Sequence, residues 1–268
     1  MLLNFLGNVR VNLLIILSLV TLGIFGRVEL IGALIVMLYW VSIRGFEKID
    51  NIFIKFTSFI SIVLISFGLS EHIFPGFNNM IYLKNYAVSE ASRHHDEYWN
   101  FDKPFLMLCL INYYMEGHYK AGNLIHSIKV GFVLTLICSA ILAIVGLGMG
   151  YIKLDIKWPE IIYSWALLNI VAVFAEEGFY RAFLQRLFAG HLGRFIGRYG
   201  DIVSLLIVSA LFGLSHFRMG FIHAVLCAVA GFLFGYGIVK SKRVEACMIS
   251  HFLLNMLHLI LFTYPNAA

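Results

Sequence analysis

Apolar runs long enough to cross a bilayer recur from one end of this chain to the other, and that recurrence leaves few folds open to it. A hydrocarbon core about 30 Å thick takes roughly 20 mainly apolar residues per helical span. Such stretches lie at approximately 11–26, 28–43, 52–70, 130–150, 158–180, 201–217, 220–239 and 246–264. They are rich in Leu, Phe and Gly and do not alternate apolar with polar residues, as strands of a transmembrane barrel would. With 60% of 268 residues apolar and only 13% charged, the expectation is an all-α, polytopic transmembrane helix bundle of about eight spans.

Arg10 ahead of the first run gives it the look of a signal peptide, but no small-residue cleavage site precedes Arg27, so it reads as an uncleaved helix. Cys109, Cys138, Cys227 and Cys247 show no C-x-x-C spacing and read as small core residues. The net charge of +5 comes without a stripe of basic and aromatic residues on a soluble element, so nucleic acid is not an expected partner. Basic residues gather in two places: Arg181, Arg186, Arg194 and Arg198, then Lys240, Lys242 and Arg243. Two spans separate these groups, which puts both on one side, the cytoplasmic one by the positive-inside rule. The expected setting is an integral multi-pass protein in a lipid bilayer, the plasma (inner) membrane in a prokaryote.

Residues 71–129 interrupt the pattern with polar and aromatic sequence, dividing the chain into N-terminal helices (1–70), an insert (71–129) and a C-terminal region (130–268). The N-terminal helices show few intramembrane polar groups. In the insert, His94, His95, Asp96 and Glu97 are metal-ligating residue types. Adjacent residues seldom turn toward one ion, and the stretch lies outside any apolar run, so it reads as a solvated charged loop. Pro104 to Met115 is open as a short span, a re-entrant piece or an interfacial helix.

Ionisable groups enter the C-terminal spans. An acid near the middle of a membrane helix costs about 2.5–3.5 kcal/mol on insertion scales and marks a functional site by default. Three clusters stand out: Glu176-Glu177-x-x-x-Arg181, Phe212-x-x-x-His216 and His251-x-x-x-Asn255. Spacing of i,i+4 puts both ends of a cluster on one helix face. Glu177 precedes Arg181 in the favourable acid-before-base order, whereas Glu176 turns to another face. Counted from the glycine-rich turn near Gly193 to Gly197, Glu176 and His216 come out roughly 28 and 31 Å along antiparallel helices, at similar depth. A carboxylate beside a histidine can deprotonate water for attack on a peptide carbonyl, while a second histidine and an asparagine amide can donate to the resulting oxyanion. Each cluster alone reads as an interhelical polar clamp; an acid and two histidines in one set favour chemistry. Asn169, His223 and His258 stand nearby as either supporting or packing residues.

The sequences E-E-G-F-Y-R at 176–181, F-G-L-S-H at 212–216 and H-F-L-L-N at 251–255 resemble, in order and spacing, the three motifs of the CPBP family, the CAAX protease and bacteriocin-processing (Abi) group that includes the Ras-converting CAAX endopeptidases. The resemblance implies a glutamate-dependent intramembrane endopeptidase with a polar cavity among its helices. It implies that Glu176 and His216 activate water and that His251 and Asn255 form the oxyanion hole, with Glu177, Arg181 and Phe212 in support. Asn100 to Pro104 (N-F-D-K-P) is similar to a stretch in some prokaryotic members. The implied substrate is a membrane protein or peptide cut near the membrane, in a tail or a leader, with no cofactor. Two other readings stand beside it. One is a zinc metalloprotease using Glu176, His216 and His251 as ligands, although no H-E-x-x-H helix is present. The other is a non-catalytic scaffold, immunity factor or transporter.

Overall fold

The computed structural model describes residues 9–114 and 122–268. In chain order the elements are α1 (Val9–Ile24), α2 (Leu30–Gly45), α3 (Ile52–Ser70), β1 (Met80–Tyr86), β2 (His95–Trp99), α4 (Lys103–Tyr113), α5 (Leu124–Gly148), α6 (Ile162–Glu177), α7 (Arg186–Ile196), α8 (Gly200–Ser215), α9 (Phe221–Ser241) and α10 (Glu245–Leu261). A π-helical run, Gly178–Gln185, joins α6 to α7. Each expected span falls on a helix: α1, α2, α3, α5, α6, α8, α9 and α10. Helices α3, α5, α9, α2 with its following turn, and the continuous stretch from α6 to α8 are long and apolar enough to cross a membrane, while α1 and α10 are shorter. Leu17, Leu64, Leu136 and Ile144 turn large apolar side chains outward, as lipid-facing helices do.

The helix boundaries follow local chemistry. Asn51 caps α3 by accepting from Phe53 N and Ile54 N, and Asn123 caps α5 by accepting from His126 N, which starts that helix ahead of the expected 130. Pro159 holds α6 back to Ile162, whose N–H bonds the Pro159 carbonyl. The open stretch from Pro104 is a helix, α4, with Asp102 as its cap and the proline in its first turn. Among the described residues the named strands form one two-stranded sheet, the β1–β2 hairpin, in part of the 71–129 insert. There Asp96 accepts from Asn85 N at 2.7 Å and His95 Nε2 lies 3.1 Å from Glu97 Oε1, so residues expected in a loop form hairpin contacts.

Contacts divide the chain into two units. The first contains residues 9–82, 98–114 and 174–176. The few polar groups of its interior meet one another: Asn12 Oδ1 accepts from Trp40 Nε1 (3.2 Å), Arg44 Nη1 (3.2 Å) and Asn112 Nδ2 (2.6 Å). Arg44 stands in the last turn of α2, where the helix dipole favours a cation, and this interaction and its amide partner make its burial tolerable. The N-F-D-K-P segment works as a joint in this unit. Asp102 caps α4 and lies 2.7 Å from His72 Nδ1, while Asn79 accepts from Phe101 N at 2.7 Å.

The second unit contains residues 83–97, 122–173 and 177–268. Small residues bring its helices close. A Cβ on Gly131 of α5 would lie 3.0 Å from the Ala246 carbonyl of α10, and one on Gly213 of α8 would lie 2.6 Å from the Ala224 carbonyl of α9. Beyond the helix ends, the segment after α10 pairs with the α5–α6 loop: Thr263 N donates to Lys153 O and Lys153 N to Thr263 Oγ1, both at 3.0 Å. Arg93 N reaches Asn266 O at 3.0 Å. Within this cap, burial pushes the Asp155 carboxyl up, but hydrogen bonds from Ser89 and Lys157 and the Lys157 charge outweigh it and hold the group below its ordinary value.

Candidate active site

Helices α6 and α10 are bridged by side chains spaced one turn apart on α10 and one, then two, turns apart on α6. Trp165 and Leu259 share an apolar cluster. One turn further along each helix, Asn255 Nδ2 donates to Asn169 Oδ1 at 2.9 Å. Another turn along α10, His251 Nδ1 donates to Glu177 Oε1 at 2.8 Å. The other oxygen of Glu177 accepts from Arg181 Nε at 3.1 Å, so one fully buried carboxylate joins a histidine and an arginine.

Local winding makes room for that arginine. Directly after Glu177 the chain adopts π geometry, and all eight residues from Gly178 to Gln185 are buried. Such turns are rare and occur often at functional sites. Arg181 and Gln185 face Gly231 and Gly235 of α9, where a Cβ would stand 3.1 Å from Arg181 Nη2 and 2.6 Å from Gln185 Oε1 respectively. Gln185 Nε2 also donates to the Gly235 carbonyl at 3.1 Å. The glycines thus form a notch for two polar side chains. The Arg181 guanidinium lies 5.4 Å over the Phe212 ring, a cation–π contact that supports its charge away from water.

Phe212 is the aromatic hub. Its ring centroid is 4.7 Å from that of His216 and 5.8 Å from that of His251, the latter edge-on, and Phe234 stacks on His251 at 4.5 Å. His216 Nδ1 lies 2.8 Å from the Phe212 carbonyl, which can only accept, so Nδ1 carries the proton and Nε2 is the acceptor nitrogen of the neutral ring. The His223 ring lies 5.9 Å from that of His216, with its Nδ1 3.0 Å from Tyr151 Oη. His258 Nε2 bonds the Thr263 carbonyl at 3.1 Å and so holds the chain leaving α10.

The second unit therefore brings together Glu177, Arg181, Phe212, His216 and His251, and holds Asn255 one turn from His251 against Asn169. Glu176 is described with the first unit, where its Oε1 lies 3.4 Å from Lys103 Nζ. Sequence reasoning missed Lys103, Gln185, Phe234 and the two notch glycines. The Gly231-x-x-x-Gly235 spacing was a visible signal for close helix approach. Among the described residues, no three His, Cys, Asp or Glu side chains are grouped to hold a metal ion.

Residues 158–257 match the family model described as type II CAAX prenyl endopeptidase Rce1-like. This stretch is similar to that family. It begins ahead of α6 and ends just past Asn255, so the matched stretch includes all three polar clusters and the α9 notch between them. The matched stretch takes in helical segments long and apolar enough to cross a membrane, Ile162–Ser215 and Phe221–Ser241. No curated protein and no solved structure matches the chain.

Proposed function

We propose that the chain hydrolyses a peptide bond close to the membrane, in the tail of a membrane-attached protein, by water activated by glutamate and histidine. Because the matched family is described as a CAAX prenyl endopeptidase, a prenylated tail is the first substrate class to test. In this reading Glu176, with His216 accepting at Nε2, takes a proton from water as the oxygen attacks the carbonyl carbon. The tetrahedral oxyanion is held by N–H donors of His251 and Asn255. Collapse breaks the C–N bond, and the proton held by the base passes to the leaving amine. No cofactor enters the sequence of steps.

One observation carries the reading most: the Glu177 carboxylate bonded to His251 Nδ1 inside the stretch that matches the Rce1-like family. Donating at Nε2 while Nδ1 donates to Glu177 takes a proton on each ring nitrogen of His251, and the carboxylate that also accepts from Arg181 Nε orients the ring for that role. That gives Glu177 a supporting role distinct from the base role of Glu176. The basic residues around α7 and before α10 support a cytoplasmic side for those loops, and the reading puts the chain in the plasma (inner) membrane if its source is prokaryotic.

The test is mass spectrometry of membrane proteins from cells carrying either the wild-type chain or Glu176→Gln. A precursor accumulates in the variant, at equal levels of the chain itself, and its extra residues locate the cut. Identical peptide profiles in the two strains would remove the assigned base and favour a scaffold role.

A further inference from the structure

Asn169 lies on α6, two turns before Glu176, and is only 7% exposed. Its Oδ1 accepts from Asn255 Nδ2 at 2.9 Å, while its own Nδ2 is buried without a hydrogen-bond partner. A buried amide placed in an apolar helix and left half-satisfied is costly. Leucine would fill the site at no such cost, so the asparagine needs a reason beyond packing.

We infer that Asn169 is a positioning residue for the hydrolysis, fixing the plane and direction of the Asn255 amide; this rests on the oxyanion role proposed for Asn255. An asparagine amide has an acceptor end and a donor end of nearly the same shape. Rotated by half a turn, Asn255 would present an oxygen to the developing oxyanion and repel it. An acceptor at Asn169 Oδ1 takes one of the two Nδ2 hydrogens of Asn255 and leaves the second for the reacting oxygen. Trp165 and Leu259, one turn away on the two helices, share an apolar layer with Ile161 and Ile162 that fixes the register in which the two amides meet.

The experiment follows the rate at which the precursor accumulated under Glu176→Gln is lost in membranes containing Asn169→Ala, Asn255→Ala or both, with thermal unfolding of each purified chain as the control for folding. The expected result is a slowing of about 10- to 100-fold for Asn169→Ala in the wild-type background and less than about threefold in the Asn255→Ala background, because the two act as a unit. Asn169→Asp, which keeps an acceptor of the same size, retains more processing than Asn169→Ala. Multiplicative losses, or equal loss from the alanine and aspartate variants, would overturn the positioning role. Slow processing by Asn255→Ala beside a wild-type rate for Asn169→Ala would overturn it alone. A wild-type rate for Asn255→Ala would sink the oxyanion assignment and the inference together.

Discussion

His251 and Glu177 are joined by a hydrogen bond of 2.8 Å that spans α10 and α6, and the same carboxylate is the counter-ion of Arg181. Removing one member of a buried charged set leaves the others uncompensated. Glu177→Ala is therefore expected to cost about 3–5 kcal/mol of stability, read as a lowered unfolding temperature in detergent. Glu177→Gln keeps the shape and an acceptor oxygen but removes the charge, so it is expected to be less destabilising than Glu177→Ala and to slow processing by about 100-fold per molecule of folded protein. Wild-type processing by Glu177→Gln would separate His251 from the chemistry.

Arg181→Lys tests whether charge alone suffices. Lysine keeps the charge but lacks the planar guanidinium that reaches Glu177 from Nε while covering the Phe212 ring at 5.4 Å. The expected outcome is a loss of about 2 kcal/mol or more in unfolding measurements. Equal stability of the lysine and arginine proteins would show that the flat contact contributes nothing.

Gly235→Ala places a Cβ 2.5 Å from Leu205 Cδ1 and 2.6 Å from Gln185 Oε1. Overpacking of this kind costs about 1–3 kcal/mol. Gly148→Ala, at the end of α5 with open space around the new atom, is the control and shifts stability by no more than about 0.5 kcal/mol. Comparable effects at both positions in a melting assay would contradict the notch.

The cap outside the helices carries a pH dependence. The Asp155 carboxyl titrates below its unfolded value of about 3.9, so its contribution to stability is fully present above that value. The contribution is lost as pH falls through the folded value. The melting difference between wild type and Asp155→Asn is thus expected to be constant from about pH 5 to 7 and to shrink below about pH 4. A difference that grows in acid would reverse the assignment.

Chelation separates the two enzyme readings. His216 Nδ1 is engaged by the Phe212 carbonyl and His251 Nδ1 by Glu177, each in a hydrogen bond that suits an acid–base or oxyanion role. Processing in membranes treated with a strong chelator is expected to continue at its original rate. Loss with chelator and recovery with added zinc would favour the metalloprotease reading.

Much of this was legible in the chain because bilayer physics is one-dimensional: an apolar run of spanning length has to be helical, and all the expected spans lie on helices. The Glu177–Arg181 partnership was also legible, since it depends on neighbours one turn apart. The carriers of long-range contact were harder. The approach of His251 to Glu177 and of Asn255 to Asn169 needs the register of two helices far apart in sequence, which no local pattern contains. The Asn12–Arg44–Asn112 network was hidden for the same reason, because single polar residues in separate apolar runs look isolated until the helices meet. The hairpin was missed because its short strands, H-D-E-Y-W among them, carry enough charge to pass for loop.

The π-helical run after Glu177 also works as an angular delay line. A backbone bonded i→i+5 advances through a smaller angle per residue than one bonded i→i+4, so each residue from Gly178 to Gln185 lags behind the phase that α6 would have set. A helical wheel drawn through this stretch would therefore misassign the faces of everything downstream. Deleting one residue there would turn α7 by about a quarter turn relative to α6.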